Sequence, residues 1–350
     1  MIKRRISRQV TAGNVKIGGD APISIQSMLN APKHDISANI AQAKDLGGAG
    51  CDVIRMAVPD LESVKIISAL KKNINTAIVA DIHFDYKLAL ASIEAGVDKI
   101  RINPGNIGDL EKIKAVVTAC ANNKIPIRIG VNAGSLEKDI LRKHKYPTAD
   151  ALVESAMHHV KILEDLGFCD TVISIKSSEV QTGVEAYRKV ASLCDYPLHI
   201  GITEAGTERM GTVKSAVGIG SLLLDGIGDT IRVSITGNPL KEVEIAKNIL
   251  KSCGILKSGA EIISCPTCGR CEIDIISIAN EVESRLSSYK GDIKVAVMGC
   301  VVNGPGEAKF ADIGIAGGKN SGVIIKKGEV LKTVSADKLV DELMREIENL

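Results

Sequence analysis

Pro126-Ile127-Arg128-Ile129-Gly130-Val131-Asn132 is a short β-branched run opened by a proline and closed by polar residues. A run of this length between turn signals reads as a buried strand. Seven more runs of the same kind flank it: Ile23 to Met28, Asp52 to Val58, Ala77 to Ile82, Lys99 to Asn103, Thr171 to Lys176, Leu198 to Thr203 and Thr230 to Ile235. Amphipathic stretches with helical spacing follow them, at Ile36 to Leu46, Leu61 to Lys72, Tyr86 to Ala95, Leu110 to Ala121, Ala149 to Leu166, Val180 to Leu193, Thr212 to Leu224 and Leu240 to Leu250. Eight strand and helix pairs predict a parallel sheet closed into a (β/α)8 TIM barrel. An open dinucleotide-binding sheet is the alternative, but Gly218-Ile219-Gly220 falls in a helical pattern rather than at a strand-to-helix turn, so it reads as a close-packing site.

The βα pattern stops at Cys253 to Ala260, a Lys, Ser and Gly stretch that reads as a linker. Residues 1–253 are therefore expected to form the barrel and residues 254–350 a small α+β domain. That second domain should hold strands at Glu261 to Ile263, Lys294 to Met298, Asp312 to Ile315 and Gly322 to Lys326, with helices at Ile273 to Leu286 and Ala336 to Glu348. Forty-four basic residues against 42 acidic ones give a net charge of +2, which argues against a dedicated nucleic-acid binder. No apolar run has the length of a membrane span, and no hydrophobic region follows the basic start, so a cytoplasmic location is expected. Nine cysteines in a reducing compartment point to metal binding or catalysis rather than disulfides.

Barrel chemistry sits at the carboxyl ends of the strands. The residues expected there are cationic: Arg55, Arg101, Arg128, Lys176 and Arg232. Cations gathered at one mouth repel one another and are costly to bury, so their grouping makes sense around an anion, and guanidinium forks suit a phosphate or diphosphate. Asp81, Glu204 and Asp229 are the carboxylates that would otherwise pair with them, and the strand ends do not supply one for each cation. The turn Asn103-Pro104-Gly105-Asn106 is expected to add backbone N–H donors in an anion nest. Asn132, Thr203 and Ser234 are polar neighbours suited to orienting a substrate, and Glu204 is placed to donate a proton. His83 also stands at a strand end.

In the second domain Cys265-Pro266-Thr267-Cys268 is a C-x2-C pair, and Cys300 lies far along in a glycine-rich stretch. Such thiols suit zinc or an iron–sulfur cluster. Cys271 would complete a four-cysteine zinc site, whereas the Gly304-Pro305-Gly306 loop suits the close approach of a bulkier inorganic core.

The stretches Ser264 to Arg270 and Met298 to Ala308 resemble the cluster signatures of the 4-hydroxy-3-methylbut-2-enyl diphosphate synthase family of the non-mevalonate isoprenoid pathway. The resemblance runs nearly end to end and includes Ile25 to Met28, Ile100 to Asn106, Arg128 to Asn132 and Gly226 to Ser234. It implies a barrel similar to dihydropteroate synthase and a cluster domain similar to those of sulfite reductases. It also implies a 4Fe-4S cluster held by Cys265, Cys268, Cys300 and the carboxylate of Glu307, with Cys271 a neighbour. The expected reaction is the two-electron reductive ring opening and dehydration of 2-C-methyl-D-erythritol 2,4-cyclodiphosphate, fed by a ferredoxin or flavodoxin. A barrel transferase or lyase with a structural zinc module, and a non-catalytic iron–sulfur carrier, are the rival readings.

Assembly follows from reach. Helix eight of such a barrel runs away from the mouth, and the eight residues Cys253 to Ala260 span at most about 29 Å. A homodimer in which each cluster domain caps the partner's barrel is therefore expected, and the resemblance implies the same head-to-tail pairing.

Overall fold

The computed structural model describes residues 2–300, 306 and 308–350. The chain divides into two compact units, the first ending at Cys253 and the second beginning at Gly254.

The first unit opens with a hairpin, β1 (Val10–Ala12) and β2 (Val15–Ile17), turned by Gly13 at φ +59°. Then come β3 (Ser24–Met28), α1 (Ile36–Gly48), β4 (Val53–Ala57), α2 (Leu61–Asn73), β5 (Ala77–Asp81), α3 (Tyr86–Glu94) and β6 (Lys99–Ile102). The short α4 (Pro104–Ile107), α5 (Leu110–Asn123), β7 (Ile127–Asn132), α6 (Lys138–His144), α7 (Ala149–Asp165), β8 (Thr171–Lys176) and α8 (Val180–Leu193) follow. The unit ends with β9 (His199–Ile200), α9 (Glu208–Leu224), β10 (Thr230–Ile231) and α10 (Pro239–Ser252). Strands β3 to β10 are parallel in the order β8-β7-β6-β5-β4-β3-β10-β9, and a bridge from Ile173 to Leu198 joins the two ends. This is the expected TIM barrel.

The eight expected strands are all present, but the seventh and eighth are short. An added Cβ at Gly201 would lie 2.4 Å from the Arg232 carbonyl, so the two chains touch there instead of continuing a regular ladder. Gly218 packs inside α9, where a Cβ would lie 2.5 Å from Ile202 Cδ1, in keeping with a packing role. Sequence reading overlooked the hairpin, whose Val10, Ala12 and Ile17 pack on Val172 and whose Val15 meets Val53, Ala77 and Val79. Val53 and Ala77 start their strands and Val172 is second in its own, so the hairpin plugs the amino-terminal end of the barrel and leaves the carboxyl end for chemistry.

The helices begin in the loops that follow the strands. Asp35, Asp60, Asp85 and Asp109 each accept a backbone N–H from the first turn of the next helix, as does Thr148. Each such cap stabilises by about 1 kcal/mol. It also commits the aspartate locally, so these carboxylates are not spent on the cations of the mouth.

In the second unit β11 (Gly259–Ser264), β12 (Asp292–Met298) and β13 (Ile313–Gly317) are parallel, and β14 (Ser321–Lys326) and β15 (Glu329–Ser335) complete the sheet antiparallel. Helices α11 (Ile275–Leu286) and α12 (Leu339–Glu348) cover one face, where Val282, Val295, Val297, Ile315 and Leu343 form the core. Strand β15 was not expected from the sequence. It is a largely exposed edge strand, reached through Lys327 and Gly328, both in the left-handed region. None of the described helices is long and apolar enough to cross a membrane.

Candidate active site

Successive side chains of a strand alternate between faces, so residues two apart share the barrel interior. That period places Lys99 with Arg101, and Arg128 with Gly130 and Asn132, while register sets Arg101 beside Arg128 and Asn132 beside Lys176. The outcome is a cavity of about 390 Å³, its open mouth included, lined by Arg55, Arg101, Arg128, Gly130, Asn132, Ser174, Lys176, Thr203 and Arg232. All five expected cations, with Asn132 and Thr203, therefore converge.

Three of the five cations are nonetheless ion-paired, through one strand-end carboxylate and one helix carboxylate. Asp81 accepts from Arg55, and from Arg101 at 3.1 Å, with His83 also 3.1 Å away. Burial alone would raise the Asp81 carboxyl, but Arg55, His83 and Arg101 outweigh it and hold the group well below the usual carboxylate range. Arg232 lies 3.4 Å from Glu242, a carboxylate supplied by α10 and braced by Ser27 at 2.8 Å. Glu242 was overlooked because its helix position carries no strand signal. Asp229 is no partner here: it precedes β10 at the opposite end and binds Arg4 at 3.2 Å and Ser7 at 2.8 Å.

Arg128 and Lys176 form no ion pair among the described residues. Arg128 is 1% exposed, and none of its guanidinium nitrogens has a hydrogen-bond partner there. Burial, then Arg55 and Arg101, pushes its pKa far down. Lys176 is pushed down likewise by burial, then by Arg232 and Arg55. Two carboxylates facing five cations leave a cavity built for an anion.

Gly130 and Ser174 were missed as lining residues. A Cβ at Gly130 would lie 2.3 Å from Arg101 Nε, so only glycine lets that guanidinium lie across β7 and donate to the Gly130 carbonyl at 3.1 Å. A glycine inside a strand pattern is the available signal for such an approach. Three further sets of expected residues lie outside the cavity lining. The amides of Gly105 and Asn106 are taken by the Asn103 side chain and carbonyl, so that turn is a helix start and not a free nest. Ser234 is half-buried but does not line the cavity, and Glu204 is exposed one residue beyond Thr203, at φ +51°.

In the second unit, parallel pairing of Ser264 with Val297 sets the ends of β11 and β12 side by side. Cys265 directly follows β11, Cys268 lies three residues on, and Cys300 lies two residues beyond β12. Gly299 donates its N–H to Cys265 Sγ at 3.3 Å. Cys271 lies beside them: its Sγ is 3.2 Å from the Ile273 carbonyl and packs against Gly299, where a Cβ would come within 2.5 Å of it. Among the described residues no three metal-binding side chains are gathered tightly enough to hold an ion. Glu307 lies outside the described residues.

The GcpE TIM-barrel domain family matches residues 7–247, and the GcpE protein C-terminal domain family matches residues 261–349. Two relatives named 4-hydroxy-3-methylbut-2-en-1-yl diphosphate synthase (flavodoxin) align over full length. That of Clostridium perfringens is 58% identical, covering 100% of both chains, and that of Caldanaerobacter subterraneus subsp. tengcongensis is 59% identical, covering 100% of this chain and 99% of its own. A dihydropteroate synthase from Stenotrophomonas maltophilia superposes with TM-score 0.51 at 14% identity, covering 69% of this chain and 98% of its own, which is a likeness of fold alone. With both family domains matched and relatives of this similarity along its whole length, the chain belongs to the GcpE family of 4-hydroxy-3-methylbut-2-en-1-yl diphosphate synthases.

Proposed function

We propose that the chain converts 2-C-methyl-D-erythritol 2,4-cyclodiphosphate to (E)-4-hydroxy-3-methylbut-2-enyl diphosphate. Two electrons and two protons enter, a ring C–O bond to the diphosphate breaks, and one water leaves. The observation that carries the reading is the ring of Arg55, Arg101, Arg128, Lys176 and Arg232 around one cavity, with only Asp81 and Glu242 among the described residues to balance it.

In this reading residues 1–253 bind the diphosphate and residues 254–350 carry the redox group. Asp81 and Glu242 hold three arginines in place before substrate arrives, while Arg128 and Lys176 present charge that a diphosphate neutralises. Asn132 and Thr203 orient the carbon skeleton, with Ser234, in the loop after β10, assisting them. Glu204, exposed beside Thr203, delivers a proton to the departing oxygen.

Cys265, Cys268 and Cys300 are the residues that would hold a 4Fe-4S cluster, with Glu307 as the fourth ligand. The donor set fits, since three thiols stand at one end of the sheet and the Cys265 sulfur already accepts an N–H. A bound cluster supplies electrons one at a time. Flavodoxin, in the names of the relatives, is the proposed donor, and a cytoplasmic homodimer with each cluster domain serving the partner's barrel is the proposed assembly.

The test is turnover of the cyclodiphosphate by anaerobically reconstituted chain with reduced flavodoxin, followed by mass spectrometry of the product. A colourless zinc protein, or a brown one that leaves the cyclodiphosphate unchanged under strong reductant, would overturn the reading.

A further inference from the structure

The deepest charge in the barrel is not one that lines the cavity. Lys99 lies two residues before Arg101 on the same inner face of β6, is 0% exposed, and has an Nζ with no hydrogen-bond partner among the described residues. Its register neighbour on β5 is Val79, which packs with Val15 of the hairpin plug. Among the described residues, the charged groups of the interior around it belong to the layer towards the mouth. They are Arg101 on its own strand, Asp81 and Arg55 on β5 and β4, Arg128 on β7, Lys176 on β8, and Arg232 beyond β10. His199 on β9 is equally buried, with its Nε2 unpartnered. Asp81 is committed to Arg55 and Arg101.

We propose that Lys99 is a proton-linked positioning residue, which takes a proton from solvent when a diphosphate enters the cavity above it and thereby ties substrate binding to proton uptake.

The chemistry follows from which cation can yield. Arginine does not lose its proton in a protein, so Arg128 stays charged, and a second buried cation beside it is relieved only if the lysine becomes an amine. Burial, then Arg128, brings Lys99 down to about 7. His199 is pushed far below its ordinary value by burial, then by Arg128, Lys176 and Lys99, so it stays neutral through the same range. Diphosphate charge arriving at Arg128 offsets the repulsion and favours the ammonium form. Binding then tightens as pH falls towards 7 from above. A cyclic diphosphate has no ionisation of its own near neutrality, so the uptake belongs to the protein.

The inference deepens the diphosphate reading and rests on it for the identity of the ligand, so the experiment separates the two. Full-length chain is labelled with 13C at lysine Cε and titrated by NMR, the Lys99 signal being assigned by its loss in K99M or, should that variant fail to fold, K99Q. The unliganded chain should show Lys99 titrating near neutral pH, and saturating cyclodiphosphate should raise the midpoint by about one unit or more. A Lys99 signal that titrates with the surface lysines overturns the proposal. So does a midpoint unmoved by cyclodiphosphate whose binding calorimetry has confirmed. Should the cyclodiphosphate not bind, the functional reading fails, and inorganic pyrophosphate in the same titration decides the linkage by raising the midpoint or leaving it unmoved. In calorimetry across buffers of different ionisation heat, proton uptake near pH 7.5 should accompany cyclodiphosphate binding to the wild-type chain and vanish in K99M, which a merely structural role would not produce.

Discussion

Arg101 lies across Gly130, its Nε only 2.3 Å from where a Cβ on that glycine would stand. The contact fixes one fork of the proposed diphosphate clamp, because Asp81 pins the same guanidinium from the other side at 3.1 Å. Gly130→Ala should evict the arginine tip and leave the strand intact. We expect the thermal midpoint to fall by several degrees, because the Arg101–Asp81 contact is lost with the tip, and cyclodiphosphate affinity to fall about tenfold, measured by scanning calorimetry and titration calorimetry. Undiminished affinity would show that Arg101 does not hold the ligand.

Asp81→Asn removes the charge that balances Arg55 and Arg101. Breaking a buried pair of this kind costs about 3–5 kcal/mol, which urea denaturation at pH 7 measures. The folded Asp81 carboxyl is held below its unfolded value of about 3.9, so its contribution is complete above that pH and fades as pH falls through the lower folded value. The stability gap between wild type and variant should therefore narrow below about pH 4 and stay constant above about pH 5. A gap that widens on acidification contradicts the pairing.

Arg128→Met should separate stability from binding. Losing a buried cation with no partner among the described residues should leave stability unchanged or raise it, whereas losing a charge-assisted contact worth about 1.5–3 kcal/mol should weaken binding tenfold or more. Lower stability with unchanged affinity would mean that the guanidinium serves the fold.

Anaerobic protein should be brown, with about four irons per chain. Cys265→Ser, Cys268→Ser and Cys300→Ser should each lose the colour. Cys271→Ser should keep it, in line with the proposal that this sulfur, 3.2 Å from the Ile273 carbonyl, is a neighbour and not a ligand. Iron and sulfide analysis checks this, and loss of iron in Cys271→Ser alone would replace the proposed ligand set.

Mixing inactive Glu204→Gln chains with inactive Cys300→Ser chains tests the shared site. After subunit exchange, heterodimers should regain one working site from the two intact halves. Mixtures that stay inactive despite proven exchange would place each site within one chain.

What the sequence determined by itself was whatever repeats at short range. Eight β-branched runs alternating with amphipathic stretches suffice for a parallel barrel, and the rule that barrel chemistry sits at strand ends suffices to gather Arg55, Arg101, Arg128, Lys176 and Arg232. The hairpin at Val10–Ile17 and the edge strand Glu329–Ser335 escaped because the first is only two three-residue strands and the second is largely exposed, so neither carries a strong periodic signal. Tertiary structure alone decided which cations are balanced. Asp81 and Glu242 come from a strand and a helix far apart in sequence, while the nearby aspartates are taken up in helix caps. It alone showed that Gly130 makes room for Arg101 and that Lys99 is fully buried with an unpartnered Nζ. Pairing, clearance and burial depend on distances between strands, and no local pattern in the chain encodes them.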